Sequence, residues 1–156
     1  MKPCFLCALF FVGFWRLSAQ TQVPSDRDGL EKGEGMGMAT PAETNGFPGP
    51  KHVLELKDRL GLTPDQIAKT EAAFAAVKAT AGKKGKEIIK AEETLAEMFK
   101  RHTVEEEQMR ATILEIARLR GELRFIHLQA HLQMVIILTP EQVKQYTTLR
   151  NHARNH

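Results

Sequence analysis

Three side chains near the end of the longest helix-forming stretch have the types and spacing to do chemistry: His127, His131 and Met134. At i, i+4 and i+7 of a helix they fall within about 60° of one another, so one face presents two imidazoles and a thioether. That ligand set suits a late transition metal ion such as zinc, nickel or copper. His52 is a fourth candidate ligand, with Glu55 or Glu71 as oxygen donors. The competing reading is structural: the two histidines are satisfied by water or a carboxylate, and Met134 fills core. His152 and His156 belong to a short polar ending, 151–156, and read as a solvated tail.

Other chemistries find little support. There is no Ser/His/Asp order with the turn chemistry it needs and no Gly-rich phosphate loop attached to a strand. The His-x-x-x-His pair is not a zinc-protease signature, because Leu128 stands where that motif carries glutamate. The chain reads as non-enzymatic. Its 156 residues carry 22 Lys+Arg against 19 Asp+Glu, and a pI near 9.0 suggests a basic protein. Residues 1–19, however, read as a secretory signal: Lys2, an apolar run from Cys4 to Trp15, and a small-residue site at Leu17-Ser18-Ala19. That run is shorter than the roughly 20 residues a bilayer span needs. Removing residues 1–19 discards Lys2 and Arg16 and leaves 20 basic against 19 acidic residues, so net charge gives no basis for nucleic-acid binding. Cys4 and Cys7, the only cysteines, leave with it, and with them any disulfide or thiolate chemistry.

Residues 20–50 hold six glycines and four prolines without apolar periodicity and read as an extended, mostly disordered arm. Met36, Met38 and Phe47 are its candidates for touching the folded part. From Lys51 to about residue 150 strong helix formers dominate. The spacing predicts a helix over about 51–60 on Val53, Leu56 and Leu60, closed by Gly61. A second is expected over 64–81 with Ile67, Phe74, Val77 and Ala81 inward. The step Gly82-Lys83-Lys84-Gly85 should interrupt or bend the rod, since each glycine costs about 1 kcal/mol relative to alanine. A third helix follows over 86–101 on Ile88, Ile89, Leu95 and Met98. Thr103-Val104-Glu105-Glu106 has the form of a capping box and opens the longest stretch, 104–137. Met109, Ile113, Ile116, Leu123 and Ala130 recur there on one face. Arg120 and His127 fall in the same row, which marks either an exposed portion or a site.

The most specific feature occurs twice: Leu62-Thr63-Pro64-Asp65-Gln66-Ile67 and Leu138-Thr139-Pro140-Glu141-Gln142-Val143. Thr63 and Thr139 are N-caps, and Pro64 and Pro140 take the first helical position, where no amide donor is needed. Asp65 and Glu141 complement the helix dipole. Gln66 and Gln142 reach back to the cap amide, while Leu62 with Ile67 and Leu138 with Val143 form hydrophobic staples. Two such elements imply two helix corners of related geometry, packed near each other. His52 lies about 15 Å of helix before Leu62, and His127 and His131 about 16 and 10 Å before Leu138. Paired corners would bring the three imidazoles to similar heights.

The duplicated Leu-Thr-Pro-x-Gln element, behind a secretion signal in an all-helical chain, resembles the LTxxQ family of bacterial periplasmic proteins. That family includes Spy/CpxP-type stress chaperones and related heavy-metal sensor and resistance proteins. The run from Asn45 to Leu56 and the ending from Leu138 to Arg150 look like an exported subgroup of it. Over about residues 45–150 the resemblance implies an all-α fold, an elongated antiparallel hairpin of four to five helices that dimerises into a cradle. For the chaperone branch it implies unfolded or stress-signalling protein partners, no cofactor and a concave mixed face. Arg120, Leu123 and Arg124, with Arg118, Leu119, Phe125 and Ile126 around them, are the residues here that could supply that face. Ordinary packing with a solvated flank is the alternative for them. The heavy-metal relatives carry ligands on helices flanking the corners, and a full ligand set does not match residue by residue. Few aromatics remain outside the signal: Phe47, Phe74, Phe99, Phe125 and Tyr146. So thin a core also suggests that a second copy completes the apolar faces.

Overall fold

The computed structural model describes residues 25–154. The expected signal segment, with Cys4, Cys7 and Trp15, lies outside the described residues, as does His156. Six helices follow in order: α1 (Arg27–Lys32), α2 (Thr40–Thr44), α3 (Pro50–Glu55), α4 (Pro64–Lys100), α5 (Glu106–Ile137) and α6 (Pro140–Arg154). Among the described residues there is no strand. The architecture is an antiparallel hairpin of the two long helices α4 and α5, as the sequence led one to expect. At 37 and 32 residues they run for about 55 and 48 Å. The shorter helices pack along the hairpin and around its base.

Both capping boxes form, and they meet. The Thr63 N–H donates to Gln66 Oε1 at 3.1 Å while the Gln66 N–H donates to Thr63 Oγ1 at 3.2 Å. At the second corner the equivalent bonds are 2.9 and 3.2 Å. The two glutamines then bond each other: Gln66 Nε2 donates to Gln142 Oε1 at 2.8 Å and Gln142 Nε2 donates back to Gln66 Oε1 at 3.1 Å. Gln66 Nε2 also reaches the Ile137 carbonyl at 3.0 Å, and Gln142 Nε2 the Leu60 carbonyl at 3.3 Å. Each half-buried amide thus caps its own helix and ties the end of the chain preceding the other. Beneath the joint lies one apolar cluster, Val53, Leu60, Met134, Leu138 and Tyr146.

The helix expected over 86–101 is not separate. Gly82 and Gly85 leave α4 unbroken, because these glycines serve packing and not a bend. The Leu30 carbonyl of α1 lies so close that a Cβ on Gly85 would stand 2.0 Å from its oxygen. Facing it, Gly33 takes the left-handed conformation at φ 66° and would meet the Lys78 carbonyl and the Gly82 amide. Hydrogen bonds along α4 and the burial gained by this approach outweigh the entropy that two glycines cost.

The same contact corrects the arm. The stretch expected to be disordered over 20–50 is folded against the hairpin from residue 25 onward. Leu30 is fully buried in a second cluster with Ala81, Ile88, Ile89, Leu119 and Leu123. Asp26 binds Arg120 at 2.7 Å and Arg27 binds Glu93 at 2.7 Å. Single apolar residues, Leu30, Ala39 and Pro48, dock one at a time, which leaves no periodicity to read. The capping box at Thr103 does not form either. The Thr103 N–H closes the end of α4 on the Met98 carbonyl at 3.1 Å, after His102 turns left-handed at φ 55°. The N-cap of α5 is Glu105, without a side-chain cap bond.

If the paired glutamines carry the base of the hairpin, Gln142→Ala should cost more than a lost cap. Chemical denaturation should give about 2–3 kcal/mol for Gln142→Ala against about 1 kcal/mol for Thr139→Ala, because the former also strips partners from Gln66 and the Leu60 carbonyl. Equal costs would mean that the cross-corner pair contributes nothing.

Candidate functional site

The three histidines come to one place. A cavity of about 590 Å³ lies between the arm and the hairpin, and His52 of α3 lines it with His127 and His131 of α5. The arm contributes Gly33, Gly35 and Met36, and α4 contributes Phe74, Val77 and Lys78. The paired corners bring this about: by fixing the α3 and α5 ends at a common height, they set ten residues of one chain direction beside eleven of the other.

Each imidazole has a distinct environment. His52 Nδ1 bonds the Glu55 carboxylate at 2.8 Å, and this contact holds Glu55 below its ordinary value. His131, 5% exposed, bonds the Phe47 carbonyl through Nδ1 at 2.9 Å, so that nitrogen must carry its proton. His127 is 8% exposed and its buried Nε2 has no hydrogen-bond partner. Burial, helped by the neighbouring His131, pushes the His127 pKa down, because both disfavour a cation there.

The expected four-ligand set is not assembled. Met134 is fully buried in the apolar cluster under the corners and does not line the cavity. Among the described residues, no three of the His, Cys, Asp and Glu side chains are grouped as the ligands of one ion. Glu71 is exposed and absent from the cavity wall, and His152 is exposed on α6. Two of the three imidazoles do have Nδ1 fixed by an oxygen, the outer arrangement that orients histidine ligands.

The expected mixed face is corrected in two of its three residues. Leu123 is 1% exposed and packs under Leu30. Arg120 bridges Asp26 at 2.7 Å and Glu92 at 2.9 Å, which draws the Asp26 carboxyl below its usual value. Both therefore hold the arm. Arg124 alone is exposed, with no ion pair among the described residues. The solvent side of α5 carries a different row: Leu114, Phe125, Leu132 and Ile136, at 63, 62, 55 and 83% exposure. Steps of eleven, seven and four residues keep them within about 40° on the helix. That spacing was visible in the sequence but was outweighed by the row that faces α4. Gly35, Phe47 and Gly49, which close over the imidazoles, left no sequence signal beyond a Gly/Pro-rich composition.

A family model described as LTXXQ motif family protein matches residues 49–150, from the end of the arm through both corners to α6. The chain belongs to that family. No curated protein and no solved structure matches it.

Met134 tests which role its position has. Met134→Leu should change stability by less than about 1.5 kcal/mol, whereas Met134→Ala should cost about 2–5 kcal/mol in thermal or chemical denaturation, as a fully buried side chain does. A Met134→Ala protein as stable as the parent would remove it from the core.

Proposed function

Taking membership of the LTXXQ family as premise, we propose that the protein is a non-enzymatic stress-response protein of the periplasm, a Spy/CpxP-like chaperone that holds unfolded clients without ATP. The observation that carries this reading is the exposed row Leu114, Phe125, Leu132 and Ile136 on α5. An apolar strip of this length on a water-facing helix is a contact surface by its chemistry. Arg124 stands beside it, and Arg118 is tied to Glu115 and Glu122. A strip of this kind, apolar with charges along its edge, binds extended apolar segments weakly and steers charged ones. A homodimer, bringing two such rows to one client, is part of the proposal.

Light scattering of an aggregating unfolded client tests it. Near-stoichiometric protein should suppress aggregation, and Phe125→Ser/Leu132→Ser should lose most of that suppression while keeping the parent's helicity. Arg120→Gln, away from the row, should retain it. No suppression by the parent protein, or full suppression by the double variant, sinks the reading.

A second reading, periplasmic binding of a late transition metal, is favoured by one observation: three imidazoles line one cavity, two of them with Nδ1 already fixed by an oxygen. Calorimetric titration with zinc, nickel and copper should then give a site tighter than about millimolar that His127→Ala/His131→Ala abolishes. An affinity untouched by the double substitution rejects it.

A further inference from the structure

Between Glu71 and Glu93 the water-facing side of α4 carries charge of one sign. Its exposed side chains there are alanines, Thr80 and four lysines, Lys78, Lys83, Lys86 and Lys90. The carboxylates of the same stretch are engaged elsewhere, Glu87 on Lys84 at 2.5 Å and Glu92 on Arg120 at 2.9 Å, and Glu93 at its end binds Arg27. The four lysines make no ion pair among the described residues. Where α1 meets α4, Lys32, Lys78, Lys83 and Lys86 line one groove, whose single carboxylate, Glu31, is already bonded to Arg27 at 2.8 Å.

This row does nothing for the fold by itself. Lys86 has Lys83 three residues before it and Lys90 four after, the two spacings at which like charges on a helix repel. At 100° per residue Lys83, Lys86 and Lys90 fall within about 60° of one another, in the same strip as Ala72, Ala75, Ala76 and Ala79. Without residues 1–19 the chain has 20 basic against 19 acidic residues, so the local excess comes from placement and not from composition.

We propose that this face of α4 docks on the surface of an anionic lipid bilayer. Lysine ammonium groups are point charges that suit an array of headgroup phosphates, whereas the planar fork of arginine suits recognition of a single carboxylate. No arginine and no large apolar side chain is exposed between Glu71 and Glu93, so the contact is electrostatic and needs no insertion. From Lys78 to Lys90 the charges extend along about 18 Å of one straight helix, and the alanines leave the strip low enough for a planar surface to approach. Four basic residues on one helix are enough to hold a protein at anionic lipid. Neither the exposed row of α5 nor the buried imidazoles take part.

Co-sedimentation of the exported protein with vesicles tests this, comparing phosphatidylglycerol and phosphatidylcholine in equal parts with phosphatidylcholine alone. The anionic vesicles should bind at least about tenfold more tightly, and the difference should vanish as salt is raised towards about 1 M. Lys83→Gln/Lys86→Gln/Lys90→Gln should weaken binding about 100-fold, at about fivefold per lysine, while keeping the parent's helicity and thermal stability. The corresponding triple arginine variant should keep it, and so should Lys57→Gln/Lys144→Gln, which removes exposed lysines outside the row. Equal binding to both kinds of vesicle, or full binding by the triple glutamine variant, overturns the proposal. Capture by soluble polyphosphate without vesicle binding assigns the row to a free polyanion and overturns it too, as does a salt-sensitive self-association that the triple glutamine variant loses while vesicles bind neither protein.

Discussion

Gln66 and Gln142 each carry three duties with one amide group: closing a capping box, bonding the opposite glutamine, and satisfying a carbonyl at the opposite corner. A primary amide has two donors and a carbonyl oxygen with two acceptor sites, and here all four are used in both glutamines. Such a network tolerates no slippage, because moving either corner by one residue would leave a half-buried amide unpaired. The joint therefore fixes the relative height of α4 and α5 at their base. Everything along the hairpin, from the apolar cluster at Tyr146 to the imidazole cavity, inherits that register.

A helical pair with so few aromatic residues has little core of its own, and the arm supplies what is missing. Leu30 enters the cluster of Ala81, Ile88, Ile89, Leu119 and Leu123 fully buried. It can do so only because Gly85 has no side chain to hold α1 away. Arg120 on α5 then meets Asp26 of the arm as well as Glu92 of α4, joining three segments through one guanidinium. Glycine in α4 and an arginine in an apolar row look like weaknesses when α4 and α5 are considered alone. Both become docking features once the arm is in place.

The two faces of α5 divide the functional possibilities. Its inner face buries His127 and His131 beneath the arm, beside a cavity shared with His52. Its outer face leaves Leu114, Phe125, Leu132 and Ile136 exposed to water. The same 3.6-residue period thus produces a covered polar site on one side and an uncovered apolar strip on the other.

Local rules sufficed where the determining interaction is local. Threonine caps, Pro64 and Pro140 at first helical positions and the all-α class were all legible, because each depends on neighbours within about four residues, whereas the helix expected over 51–60 ends at Glu55, before Gly61. The meeting of the two corners was legible as well, since the motif occurs twice with the same chemistry. Contacts between distant segments were not. Whether Gly82-Lys83-Lys84-Gly85 bends a helix or receives another depends on Leu30, more than fifty residues away. Whether Thr103 starts α5 or ends α4 depends on which helix claims its amide. The arm's composition correctly announced turns, but its few apolar residues dock singly and leave no period to detect. Helical spacing put His127, His131 and Met134 on one face. Tertiary packing then separated them, sending Met134 into the core and the imidazoles into a cavity shared with His52, because burial depends on what packs against the face as well as on its spacing.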